Sequence, residues 1–266
     1  MRQVWRELNG RRRVLQEALA VAFAGAARAA EPTWSAESIA VPVGDDQVHL
    51  TVRRFGRGGL RYLSLHENEH TAVQAATALL AHRAGTLIEL RGCGRRLVSF
   101  RDGLRPLAFD PNRIFTDAGI EQTLRRHGSH TSAGIEAARR LRAAVFALLD
   151  GRPDETVVAL HNNTGGAYSI QAYRPGGAQA GDARALAVRG DRAPEAFFLV
   201  TREQMFEELR NAGFNVVLQS ELPSDDGSLS VWFGQQRRAY ANVEARFGAL
   251  QDQLQMLEAV AALSPQ

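Results

Sequence analysis

Residues 61–80 read RYLSLHENEHTAVQAATALL, and two metal-site patterns overlap in the middle of the stretch. His66-Glu67-Asn68-Glu69-His70 fits H-E-x-x-H, while His66 to Glu69 fits H-x-x-E. The first pattern works on a helix, where two histidines on one face reach a single zinc ion and the glutamate beside them acts as base. It therefore requires helix through residues 62–72, with His66 and His70 as ligands, Glu67 as base and Glu89 as a third ligand on paper. The second pattern requires a strand that ends, a turn, and a helix that begins, so that His66 and Glu69 project from the sheet edge. The surroundings favour the second. Tyr62 to Leu65 is a strand-like run after Gly58-Gly59, and helical periodicity starts only after His70, in TAVQAATALLAHR. Glu89 lies in TLIEL, which also reads as a strand.

Working outward, SIAVPVG (38–44) and VHLTVRRFG (48–56) read as two strands joined by a polar turn. TLIELRG (86–92) and RRLVSFR (95–101) are strands, and PNRIFTDAG (111–119) is loop-like. GIEAARRLRAAVFALLDG (134–151) is a long amphipathic helix, and ETVVALHNN (155–163) is a strand running into polar residues. AFFLVT (196–201) is a strand, REQMFEELRNAG (202–213) a helix and NVVLQS (215–220) a strand. SVWFGQQRRAYANVEAR (230–246) reads as strand and loop, and FGALQDQLQMLEAVAAL (247–263) as a closing helix. Short apolar strands alternating with helices predict one α/β domain over 30–266, with a mixed, mostly parallel sheet covered by helices on both faces. Ligand sites in such sheets lie beyond the carboxyl ends of the strands. His161 stands at such an end, after the apolar Val157 to Leu160. Two histidines and a glutamate with one open position are the make-up of a catalytic zinc centre. A histidine at a strand end is also commonly no more than a polar surface residue, and H-x-x-E arises by chance in many chains.

Composition narrows the remaining classes. Hydrophobic residues are 45% and charged residues 23% of the chain, ordinary for a globular protein. The net charge of +3 comes without a single lysine, and the arginines are scattered among acids with no basic run beside aromatics. That excludes a nucleic-acid partner. The lone Cys93 supports neither a disulfide framework nor a cysteine metal site, and reads as a small turn residue in GCGRR. Residues 1–29 have the order of a signal peptide: a basic MRQVWRELNGRRR, an apolar stretch and an A-x-A shape at Ala27-Arg28-Ala29. The clean apolar part, Ala18 to Ala27, is too short to cross a bilayer, so no integral membrane span is expected. A surface amphipathic helix is the other reading of that stretch.

Four motifs then fall in a definite order: His66-x-x-Glu69, DPNRIF (110–115), ALHNNT (159–164) and NVEARFG (242–248). Together they resemble the zinc metallocarboxypeptidase superfamily, nearest the branch of aspartoacylase and succinylglutamate desuccinylase. Ala159 stands where that branch has aspartate, and Pro111 where it has leucine. The resemblance implies a zinc carboxypeptidase-like fold with His66, Glu69 and His161 on Zn²⁺. It implies Asn112 and Arg113 on a substrate carboxylate, Arg105 polarising the scissile carbonyl, and Glu244 as general base. The expected activity is zinc-dependent cleavage of an amide next to a free carboxylate, in a small peptide or an N-acyl amino acid. With a leader the protein would be periplasmic or secreted, which favours peptides, including cell-wall peptides. Two alternatives remain: an H-E-x-x-H zincin, and a non-catalytic binding module on the same fold.

Overall fold

The computed structural model describes residues 34–150, 155–164 and 168–263, so the leader read at 1–29 lies outside the described residues. The first strands are β1 (Trp34–Val43), β2 (Asp46–Phe55) and β3 (Leu60–Ser64), followed by helix α1 (His70–Leu80) and β4 (Gly85–Arg91). A small hairpin comes next, β5 (Val98–Asp102) and β6 (Arg105–Phe109), then helices α2 (Asp117–Arg126) and α3 (Ser132–Leu149). The second half runs β7 (Val157–Asn163), β8 (Ala183–Ala187), β9 (Phe197–Val200), α4 (Glu203–Asn211), β10 (Val216–Gln219), α5 (Leu229–Gln235), β11 (Tyr240–Arg246) and α6 (Leu250–Ala262).

Among the described residues, nine strands form one mixed sheet in the order β1-β2-β4-β3-β7-β11-β9-β10-β8, and β5 and β6 pair separately. The centre, β4-β3-β7-β11, is parallel throughout. On either side of it β2 and β9 run antiparallel to their inner neighbours. Alternate residues of each central strand face opposite layers, as strand geometry demands. Tyr62, Leu87, Val158 and Val243 face a core shared with α1, α4 and α6. Leu63, Ile88, Val157 and Tyr240 face a second core shared with α2, α3, α5 and the β5–β6 hairpin. Both faces of the sheet are thus buried under helices, so its central strands send apolar side chains to both layers.

Four stretches differ from the sequence expectation. The segment after PNR, expected as loop, forms α2, capped by Thr116, whose hydroxyl accepts the Gly119 N–H. Residues 230–246 split into α5 and β11 rather than strand and loop. Strands β6 and β8 carry too few alternating apolar residues to stand out as strands. No helix among the described residues is long and apolar enough to cross a membrane.

Candidate metal centre

The decisive stretch folds as strand, turn and helix. β3 ends at Ser64, the Glu69 N–H closes a turn on the His66 carbonyl at 3.1 Å, and α1 starts at His70. No helix runs through 62–72, so the H-E-x-x-H geometry does not form. His70 points to solvent. Glu89 is buried in β4 and holds Arg53 at 2.6 Å and Arg91 at 2.8 Å. Glu67 is engaged elsewhere: its carboxylate accepts the backbone N–H groups of Cys93 at 2.6 Å and Gly94 at 2.5 Å.

His66, Glu69 and His161 meet instead. All three are buried, and one nitrogen or oxygen atom from each lies within 4.8 Å of the others. His161 arrives from the carboxyl end of β7, the neighbour of β3 across the sheet centre. Glu69 occupies the N-cap position of α1, yet its side chain makes no cap. Asn162 takes that task, accepting the Ala72 N–H at 2.9 Å. The Glu69 carboxylate is left to face both imidazoles, His66 Nδ1 at 2.8 Å and His161 Nδ1 at 2.9 Å.

The far nitrogen of His66, Nε2, lies 2.9 Å from Asp110 Oδ1. A carboxylate in that position fixes the ring tautomer and orientation, as acceptors behind metal-bound histidines do. Burial, the largest influence on His66, disfavours its charge, but Glu69 and Asp110 together outweigh it and raise its pKa to about 9. Burial likewise works against ionised Glu69, and the two histidines overcome it, bringing its pKa to about 2. In the metal-free protein a protonated His66 and an ionised Glu69 therefore stand together. A divalent cation held by His66, Glu69 and His161 would take the place of that proton and supply the positive charge the Glu69 carboxylate already accommodates. Two imidazole nitrogens and one carboxylate oxygen suit zinc, so the residues present fit the ion.

A cleft of about 480 Å³ opens beside this cluster, lined by Glu69, His161, Asn112, Arg113, Asn242 and Glu244 among others. Glu244 is the register partner of His161 on β11, so the two side chains leave the same face of adjacent strands. Its carboxylate accepts from Asn163 at 3.2 Å and from Asn242 at 3.2 Å, and burial pushes its pKa up. Asn112 lies 3.4 Å from His161 Nε2. Arg113 donates to the Asn112 carbonyl at 2.8 Å and pairs with Asp226 at 3.5 Å.

Arg105 is not brought to this group. It opens β6, is exposed, and reaches the Gly128 carbonyl at 3.5 Å. Its place seven residues before Asn112 fixed a count but not a direction, and the β5–β6 hairpin carries it away from the cleft. Arg96, from the loop before β5, is there instead, bridging Glu69 at 3.2 Å and Asp110 at 3.3 Å. Nothing in GCGRRLV marks Arg96 as a site residue. Asp110 stood inside the DPNRIF motif without an assigned role.

A solved structure of an aspartoacylase family protein from Mesorhizobium loti, at 2.00 Å resolution, matches with a TM-score of 0.46 and 16% identity, over 86% of this chain and 66% of that one. The chain thus spans just under two thirds of that protein's length. No family model matches the chain, and no curated protein does. A likeness this distant decides neither reaction nor substrate.

Proposed function

We propose that this protein is a zinc-dependent hydrolase of the carboxypeptidase-like superfamily, cleaving an amide bond next to a free carboxylate. The observation that carries the reading is the buried convergence of His66, Glu69 and His161 at the edge of a cleft that also holds Glu244. When bound, zinc polarises a carbonyl oxygen and lowers the pKa of water from 15.7 to about 7. Glu244, buried and held by two asparagine amides, accepts the water proton and passes it to the leaving nitrogen. Asn163 and Asn242 keep its carboxylate aimed while it does so. Asp110 holds the His66 ring in place through Nε2.

Arg96 takes the part that the family resemblance gave to Arg105, offering guanidinium N–H groups beside the scissile carbonyl as charge develops there. Such donors in acyl-transfer sites contribute roughly 3–4 kcal/mol. Asn112 and Arg113 bind the substrate carboxylate, and Arg113 can do so with two parallel hydrogen bonds. Its pairing with Asp226 at 3.5 Å is loose enough to exchange.

The test is hydrolysis of N-acylated dipeptides and N-acyl amino acids by zinc-loaded protein, with chelated protein as control. The reading expects turnover that chelation abolishes and zinc restores. Binding of such compounds without any turnover would favour a non-catalytic module.

A further inference from the structure

Asn162 follows His161 on β7, and its side chain serves three neighbours at once. Its Oδ1 accepts the Ala72 N–H at 2.9 Å, and its Nδ2 donates to Gln253 Oε1 at 3.1 Å and to the Ala245 carbonyl at 3.4 Å. A backbone N–H can only donate, so Ala72 fixes which end of the Asn162 amide faces which way. That orientation in turn makes Gln253 present its oxygen, and it strands Gln253 Nε2, buried without a partner. Gln253 is wholly buried on α6, whose other buried positions are Met256, Leu257, Val260 and Ala261. An unpaired amide N–H in such a place opposes folding. Core stability therefore does not account for Gln253, whereas its hold on Asn162 does.

Ala72 is the third residue of α1, and its N–H is one that an N-cap side chain ordinarily takes. A carboxylate at the N-cap is also drawn toward the positive end of the helix dipole. Asn162 fills that N–H from a separate strand, so it is closed to Glu69, whose carboxylate stays between His66 at 2.8 Å and His161 at 2.9 Å. Thr71 adds a second tie, its Oγ1 accepting the Gly248 N–H at 2.9 Å. The first turn of α1 is thus fastened both to the end of β7 and to the loop after β11. We infer that Asn162, held by Gln253, is a positioning residue that keeps Glu69 a metal ligand instead of a helix cap, and so sets the affinity of the centre. This rests on the metal centre of the proposed function and not on its reaction.

Zinc affinity is measured by competition with a chromophoric chelator, and the visible absorption of cobalt(II) put in place of zinc reports the ligand set. Melting temperature is recorded alongside. Asn162→Ala should weaken zinc binding roughly 10- to 100-fold, as loss of a group that orients a ligand does, and should alter the cobalt spectrum. Asn162→Asp restores an acceptor for Ala72 and lets Gln253 turn its stranded nitrogen toward it, so the wild-type spectrum should return. Gln253→Leu should weaken zinc binding without lowering the melting temperature, and it serves if Asn162→Ala does not fold. A lower melting temperature in Asn162→Ala, with zinc affinity and cobalt spectrum unchanged, would overturn the inference and leave Asn162 a packing residue. Wild-type protein that binds no zinc would overturn it together with the metal centre. The expected Asn162 effects in a protein that hydrolyses no amide would uphold it and sink the hydrolase reading.

Discussion

His66 has no exposed surface, and both of its ring nitrogens face carboxylates, Glu69 on one side and Asp110 on the other. With its pKa raised to about 9, His66 carries a proton at pH 7 when no metal is bound. Zinc binding at pH 7 should therefore release that proton, because a ligating imidazole must be neutral. Calorimetry in two buffers of different ionisation enthalpy measures the number. It should fall toward zero from this residue as the pH passes 9. The two readings of HENEH then separate by mutation. Glu244→Gln should keep zinc and lose roughly 10²- to 10⁴-fold in kcat, the usual loss when a general base is removed. Glu67→Gln should retain most activity, since its carboxylate is held by the Cys93 and Gly94 amides and is not part of the His66, Glu69 and His161 group. Inactive Glu67→Gln beside active Glu244→Gln would reinstate the zincin. His66, Glu69 and His161 were readable in the sequence because strand-end position and spacing specify them. Asp110 and Arg96 were not, because each reaches the site through a turn or loop whose direction no periodicity encodes.

At the level of elements, the end of the cleft proposed to bind the substrate carboxylate depends on the packing of α2 against the loop before α5. Gly119 sits in the first turn of α2, and a Cβ there would overlap the Gly227 Cα and crowd the Arg113 carbonyl. Gly227 has φ +77°, a left-handed conformation that disfavours any side chain, and its carbonyl accepts the Phe115 N–H at 3.0 Å. Gly119→Ala should thus cost about 1–3 kcal/mol in stability, as overpacking does. It should also raise KM more than it lowers kcat, because the strain falls on Arg113 rather than on Glu244. Denaturant titration and steady-state kinetics read the two effects. Unchanged KM in a folded Gly119→Ala protein would place the substrate carboxylate elsewhere. α2 escaped the sequence reading because Pro111 and the polar TDAG looked like loop, although Thr116 caps a helix with an apolar Ile120–Leu124 pair behind it. α5 was hidden by SVWFG, whose aromatic and β-branched residues read as strand until tertiary packing decides otherwise. The central strands and α1, α3, α4 and α6 were visible because their apolar periods are long and uninterrupted.

Across the whole molecule, the sheet places β3, β7 and β11 side by side with parallel direction, so their carboxyl ends deliver His66, His161 and Glu244 to one place. Without metal, that convergence makes stability depend on pH. The raised pKa of His66 contributes stability fully present below about pH 6.5 and lost as pH rises through about 9. The lowered pKa of Glu69 contributes stability present above about pH 4.5 and lost as pH falls through about 2. The metal-free protein should therefore have its highest melting temperature between these limits and lose it toward pH 9. Saturating zinc should flatten the alkaline side of the profile. Export is a separate expectation: the mature N-terminus should lie near Ala30, and an intact Met1 on protein retained in the cytoplasm would remove it. His66, Glu69 and His161 should form one metal centre. The most direct measurement is anomalous diffraction at the zinc edge from crystals of zinc-loaded protein. One strong peak about 2.0–2.2 Å from a nitrogen of His66, a nitrogen of His161 and an oxygen of Glu69 is the predicted result. A peak bonded to His70 or Glu89, or no peak among His66, Glu69 and His161 at saturating zinc, would contradict it.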